Sequence, residues 1–169
     1  MKKLIVILSI AGAQCFAQSN ADPLSAGAKM LYNITKNDVL KSAGEMPEAD
    51  YSFKPVGTVR SFGELVGHVA DGQYEFCSVV LGGKQPPSIE KSKTTKADLI
   101  QALQDAFTYC DGAYNGMTDA HAADLVPFGG HNMTKLTVLD FNSAHNYEHY
   151  GNMVTYLRIK NLVPPSSKH

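Results

Sequence analysis

Residues 143–150 read SAHNYEHY and lie within a stretch, 134–161, that contains no proline. Stepping by three or four residues back from His145 and forward from His149 meets mostly apolar side chains, namely Val138, Phe141, Met153 and Tyr156, with Asn142 and Asn152 between them. This spacing is typical of an amphipathic helix. The sequence therefore predicts a long helix from near Thr134 to Asn161, with both histidines on its apolar face.

Two further helices are predicted upstream. Pro23 is a first-turn residue of the first, whose apolar stripe ends near Gly44. The second begins at Ser61, with Glu64 three residues later, which is the pattern of a capping box. It ends at the glycine pair that begins with Gly82.

Another helix is predicted between the one that ends at Gly82 and the long helix from Thr134 to Asn161. It starts with Thr95 and Asp98, a Thr-x-x-acid signal, and ends between Cys110 and Met117. No stretch alternates between apolar and polar residues for long enough to predict a sheet. Four amphipathic helices in a chain of this length predict an all-α fold, a four-helix bundle whose core can hold a metal site.

Composition excludes several classes of protein. The chain has 169 residues, of which 44% are hydrophobic and 18% charged, and this is neither collagen-like, nor disordered, nor typical of a coiled-coil rod. With 15 basic and 16 acidic residues the net charge is −1, so no nucleic-acid partner is expected.

The first 17 residues have the pattern of a secretory signal peptide. Two lysines precede a run of about ten mostly apolar residues, and the small residues Cys15 and Ala17 stand before Gln18. We expect cleavage between Ala17 and Gln18, a single domain over 18–169, and a secreted or periplasmic protein without membrane contact after cleavage. The alternative is a buried N-terminal helix. Cleavage leaves 13 basic and 16 acidic residues, a net charge of −3.

Two cysteines remain in the mature chain. Cys77 and Cys110 lie on two of the predicted helices. In an oxidising compartment they can form a disulfide, whereas the alternative is a pair of buried thiols. The sequence leaves both open.

The histidines inside the predicted helices are the candidate metal ligands. His145 and His149 are four residues apart, which places them on one face of a helix, and two imidazoles so arranged can bind one cation. His68, on the second helix, is the candidate third ligand. Three neutral nitrogen donors leave an open position for water or substrate. His121, His131 and His169 lie in loops or at the terminus and are assigned no role.

The same stretch also matches the H-x-x-E-H signature of inverted zinc proteases through His145, Glu148 and His149. Such proteases take a further acidic ligand from downstream, and no Asp or Glu follows Glu148 here. We therefore interpret the match as fortuitous. Glu148 remains a candidate proton acceptor or a solvated helix residue.

In order along the chain, these motifs resemble the DinB family of small helical metal-binding proteins. The resemblance spans about residues 24–163. It is carried by FGELVGHVAD at 62–71 and by AHNYEHYGNMVTYLR at 144–158, with one histidine on the second helix and an H-x-x-x-H pair on the fourth.

The resemblance implies an up-down-down-up bundle, often a homodimer. It also implies that His68, His145 and His149 bind a divalent metal, for which zinc and nickel are the first choices because imidazole suits both. Related proteins include transferases and isomerases that use low-molecular-weight thiols. An exported protein would meet few such thiols, and residues 82–96 show no feature of a thiol-cofactor pocket.

Three functional interpretations follow. The first is a metal-dependent enzyme, a transferase acting on a thiol or a hydrolase acting on another small molecule, with Glu148, Asp71 or Tyr147 as proton acceptor. Asp71 and Asn142 are instead candidates for orienting a ligating imidazole. The second is a non-catalytic protein that binds a metal or small ligand, for example under stress. In the third, the histidines are packing residues and bind nothing.

Overall fold

The computed structural model describes residues 22–168. Four long helices dominate it, and their bounds agree with the sequence prediction to within a few residues. They are α1 (Pro23–Glu45), α2 (Phe62–Leu81), α4 (Lys96–Gly116) and α5 (Lys135–Ile159), and the shorter α3 (Ile89–Ser92) lies between α2 and α4. The predicted four-helix bundle is confirmed.

The polar residues that begin these helices act as predicted. The Glu64 amide donates to Ser61 Oγ at 3.3 Å, and the Ser61 amide donates to Glu64 Oε2 at 2.6 Å, which completes the capping box of α2. Thr95 Oγ1 caps α4 by accepting from the amide of Asp98 at 3.1 Å. Such caps satisfy amides that have no partner inside the helix, which is why these residue types mark helix starts.

The bundle is built so that α1 and α2 each pack against both α4 and α5. Large side chains fill the space between them, and those that are almost fully buried include Tyr32, Phe62, Phe107, Leu139, Met153 and Leu157. The rings of Tyr32 and Tyr114 stack with their centroids 3.9 Å apart. The contact between α2 and α5 brings His68 close to His145 and His149.

A short antiparallel hairpin corrects the expectation that the chain has no sheet. Strands β1 (Leu125–Phe128) and β2 (His131–Thr134) pair before α5. Gly129 and Gly130 join them with φ values of 59° and 79°. A two-residue turn of this kind needs positive φ at both positions, which glycine adopts without strain. The glycine pair was the available signal, since the strands are too short to show a period of two.

Cys77 and Cys110 form a disulfide that joins α2 to α4, with their Cα atoms 5.3 Å apart. Both residues are fully buried. Of the two alternatives that the sequence left open, the structure therefore contains the covalent pair.

The predicted signal peptide and its cleavage site lie outside the described residues. Among residues 22–168, no helix has both the length and the apolar character that crossing a bilayer requires.

Candidate metal centre

The three predicted ligands come together between α2 and α5. His145 Nε2 lies 3.2 Å from His68 Nε2 and 3.0 Å from His149 Nε2. One ligand atom from each ring falls within 4.8 Å of the other two, and among residues 22–168 this is the only group of three or more metal-ligating side chains with that property. Of the apolar residues predicted to share a face of α5 with His145 and His149, Val138, Met153 and Tyr156 are buried, whereas Phe141 is 52% exposed.

Burial keeps two of the rings neutral. The pKa of His145 is lowered to about 3, mainly because the ring is buried and secondly because His149 and His68 would carry positive charge nearby. Burial and then the charge of His68 lower the pKa of His149 to about 4. Both rings are therefore unprotonated at neutral pH, the form in which an imidazole nitrogen can ligate a metal.

The geometry of these nitrogens fits a small divalent cation. Two nitrogens that bind one tetrahedral zinc at 2.0–2.1 Å are about 3.3 Å apart. The observed separations of 3.0 and 3.2 Å are close to this value. A neutral imidazole has one N–H and one lone pair, so three converging nitrogens cannot all be satisfied by one another. The residues present therefore fit a cation bound by three histidines.

The outer side of His145 is covered by aromatic rings. The ring of Phe76 lies 5.4 Å from that of His145, centroid to centroid. Phe128, from the hairpin, packs on Phe76 and on Phe141, at 5.2 and 6.3 Å. The hairpin that the sequence did not predict thus contributes to shielding the histidine cluster from water.

A residue that sequence reasoning missed contacts His68. Glu90, at the start of α3, places Oε2 at 3.3 Å from His68 Nδ1. Its other oxygen, Oε1, accepts from Nε of Arg60 at 2.8 Å. Only the acidic residue type could have suggested this role, because Glu90 lies between the helix that ends near Gly82 and the one that begins at Thr95, where the sequence predicts no helix.

Asp71, a candidate proton acceptor or partner of a ligating imidazole, contacts the start of α3. Its carboxylate accepts from Ser88 Oγ at 2.7 Å and from the amides of Ile89 and Glu90 at 2.6 and 3.1 Å. Asp71 therefore caps α3, with both oxygens occupied. Asn142 is buried and its amide group donates to Gln73, Cys110 and Tyr114, so it orients none of the three imidazoles.

A groove of about 710 Å³ opens beside the cluster. His149 and Glu90 line it, together with apolar residues of the 55–65 segment and the charged side chains of Lys54, Arg60, Glu64 and Glu148. Among the three candidate proton acceptors, Glu148 lines this groove. Tyr147 is 42% exposed and does not line it.

The remaining histidines lie apart from this cluster. His121 is exposed and contacts Asp124 at 3.1 Å, and His131 is exposed on β2. His169 lies outside the described residues.

Comparison of the sequence with known proteins gives two results. The family model described as "DinB superfamily" matches residues 31–153. The chain is also 28% identical over 126 residues to the uncharacterized protein YjoA of Bacillus subtilis strain 168, an alignment that covers 73% of this chain and 82% of that protein.

Solved structures share the fold. A DinB-like protein from Bacillus cereus superposes with a TM-score of 0.73 at 15% identity and covers 83% of this chain and 95% of its own. The structure of YjoA from B. subtilis superposes with a TM-score of 0.66 at 21% sequence identity. The match covers 80% of this chain and 92% of YjoA. A mycothiol-dependent maleylpyruvate isomerase superposes with a TM-score of 0.64 at 13% sequence identity, and the match covers 76% of this chain and 60% of the isomerase.

Proposed function

The chain belongs to the DinB superfamily, and from that premise we propose that it binds one divalent cation through His68, His145 and His149 and acts on a small molecule in the adjacent groove. The observation that supports this most directly is the convergence of three Nε2 atoms, one of them from His149, which lines the groove. Zinc and nickel are the proposed metals, because both accept imidazole ligands.

Each part of the site has a separate proposed role. The three histidines would hold the cation, and two of them are kept neutral by burial. A divalent cation in such a site acts as a Lewis acid and lowers the pKa of a water molecule or thiol that binds it. The aromatic side chains beside His145 exclude water from one side, so the groove is the proposed route of entry.

Glu148 is the proposed proton acceptor. It precedes His149 on α5 and lines the same groove, whereas the carboxylate of Asp71 is occupied by α3. A carboxylate so placed can take a proton from a nucleophile bound in the groove. This supports a hydrolase or a transferase, and because one structural neighbour is named a mycothiol-dependent isomerase, thiols belong among the substrates to test.

We also propose that the protein acts outside the cytosol. The pattern of residues 1–17 supports export. The disulfide between Cys77 and Cys110 is a second support, because such bonds persist mainly in oxidising compartments.

The test is the metal content of the full chain, expressed with its own N-terminus and purified without a histidine tag. We expect about one equivalent of zinc or nickel, measured by elemental mass spectrometry, and its loss in His149→Ala. His121→Ala is the matched control, since this exposed histidine lies outside the cluster. Absence of metal from the wild type after reconstitution would reject the proposal.

Turnover then separates an enzyme from a binding protein. The metal-loaded chain should be screened against thiols and esters. Metal-dependent turnover that His145→Ala abolishes would support the enzyme. A full metal site with no turnover would favour the non-catalytic alternative.

A further inference from the structure

We propose that Glu90 is a positioning residue for the candidate metal centre: it holds the proton of His68 on Nδ1, so that the Nε2 lone pair points toward His145 and His149. The inference rests on the proposed cation binding for its effect on affinity. Its effect on the His68 ring is a property of the protein without metal.

The contact with Glu90 is made by Nδ1 of His68, the ring nitrogen that faces away from the other two histidines' Nε2 atoms. Glu90 Oε2 lies 3.3 Å from His68 Nδ1. A carboxylate oxygen accepts hydrogen bonds and an imidazole N–H donates them, so this contact favours the tautomer with N–H at Nδ1 and the lone pair at Nε2. That lone pair is on the side where His145 Nε2 lies, at 3.2 Å.

His68 differs in this respect from the other two ligands. The Nδ1 atoms of His145 and His149 are buried and have no hydrogen-bond partner among the described residues. The ring of His145 packs instead against Gly72 and Phe76 of α2. His68 is about a quarter exposed, so a polar contact is what orients its ring.

Glu90 is held in place by the segment that carries it. Asp71, three residues after His68 on α2, accepts from the amide of Glu90 and from two neighbouring donors, and so anchors the start of α3. Gly67 lets α3 approach closely, because a Cβ at position 67 would lie 2.7 Å from the Cα of Glu90. The residues on both sides of His68 thus bring the carboxylate to its ring.

Arg60 orients the same carboxylate from the opposite side. Its Nε donates to Glu90 Oε1 at 2.8 Å, which leaves Oε2 for His68. The backbone of Arg60 is itself fixed, since its carbonyl accepts from the hydroxyl of Tyr156 on α5 at 2.6 Å. The Glu90 carboxylate therefore contacts Arg60 through Oε1 and His68 through Oε2.

The experiment compares the full-length wild type with Glu90→Ala, Glu90→Gln and the control Glu75→Gln. Glu75 lies on α2 and is exposed, so its variant carries the same change of charge away from His68. Two quantities are measured: the zinc dissociation constant, by competition with a chromophoric chelator, and the tautomer of His68 in the metal-free protein, by ¹⁵N NMR of the imidazole.

We expect zinc affinity to fall by about 10–100-fold in Glu90→Ala, the usual cost of removing a residue that orients a ligand. Glu90→Gln should show a smaller loss, because its amide oxygen can still accept from Nδ1. The Nδ1–H form of His68 should dominate in the wild type and in Glu75→Gln and lose its dominance in Glu90→Ala. Loss of a purely structural ion pair would lower the melting temperature without changing the tautomer.

Wild-type affinity in both Glu90 variants, together with an unchanged His68 tautomer, would overturn the inference. If Glu90→Ala fails to fold, the zinc affinity and the His68 tautomer of the isosteric Glu90→Gln variant decide whether Glu90 positions the ring. If the wild type binds no zinc, the proposed function fails separately, and the tautomer alone decides whether Glu90 positions the ring.

Discussion

Gly72 lies directly against the imidazole of His145. A Cβ at position 72 would stand 2.6 Å from His145 Cε1 and 3.0 Å from its Nδ1. These distances are too short for a real methyl group, so α2 can carry only glycine at this position if the ring is to keep its place. A residue that is not itself a candidate ligand thereby determines where one of the ligands can lie.

Gly72→Ala should therefore displace the His145 ring. We expect at least tenfold weaker zinc binding and a loss of about 1–3 kcal/mol in the free energy of unfolding, as is usual when a methyl group is forced into a packed site. Chelator competition and urea denaturation measure the two quantities.

Gly112→Ala is the matched control for this prediction. Gly112 also lies inside a helix, α4, but a Cβ there would meet nothing within 4 Å. Alanine at such a position should leave zinc binding unchanged and increase stability by up to about 1 kcal/mol. Equal zinc affinity in both variants would show that Gly72 does not constrain His145.

The disulfide should make a large contribution to stability. Cys77 and Cys110 are separated by 33 residues, and closing a loop of this length is expected to stabilise the fold by about 3–4 kcal/mol through the unfolded state. The double variant Cys77→Ala/Cys110→Ala should lose about that much in urea denaturation. Reductant should lower the melting temperature of the wild type and leave that of the double variant unchanged. Two free thiols in the unreduced, denatured wild type would refute the pairing.

The helices were predictable from sequence because their determinants are local. Ser61 and Glu64 are three residues apart and form their capping box within one turn. His145 and His149 are likewise placed on one face by spacing alone. The helical bundle then follows from four amphipathic segments, and His68 was the candidate third ligand because it is the one other histidine inside a predicted helix, a choice that the resemblance to the family also implied.

Glu90 could not be found in this way. It lies 22 residues after His68, and its contact depends on a helix of four residues that Asp71 caps from another helix. Nothing in the local pattern around Glu90 specifies that docking. The hairpin was missed for a related reason, since its four-residue strands are defined by their packing on Phe76 and by a turn at Gly129.

The metal-free protein should lose stability as the pH falls below about 6.5. The pKa of His145 is lowered to about 3 and that of His149 to about 4, mainly by burial, while an unfolded histidine titrates near 6.5. Between these values the unfolded chain binds protons that the folded chain does not. Each ring can therefore lower the folding equilibrium constant by up to about tenfold per pH unit in this window.

Urea denaturation of the metal-free chain at pH 7.5, 6.0 and 5.0 measures this dependence. The variant His145→Gln removes one of the two buried rings and should show a shallower loss of stability over the same range. His121→Gln, which changes an exposed histidine, should follow the wild type. A wild-type stability that is constant from pH 7.5 to 5.0 would contradict the lowered pKa values.

The proton acceptor can be assigned by two neighbouring substitutions on α5. Glu148 lines the groove that leads to His149, whereas Tyr147 is exposed outside it. With the substrate identified by the thiol and ester screen, Glu148→Gln should lower kcat by about 10²–10⁴-fold, the usual contribution of a general base. Metal content should stay at the wild-type level, because no candidate ligand is removed.

Tyr147→Phe is the control, and it should keep both kcat and metal content. Measuring both quantities for each variant separates loss of a base from loss of the metal. If Glu148→Gln retains full turnover, its carboxylate is a solvated helix residue. Loss of turnover in Tyr147→Phe alone would move the role to the phenol, which would then have to enter the groove when substrate binds.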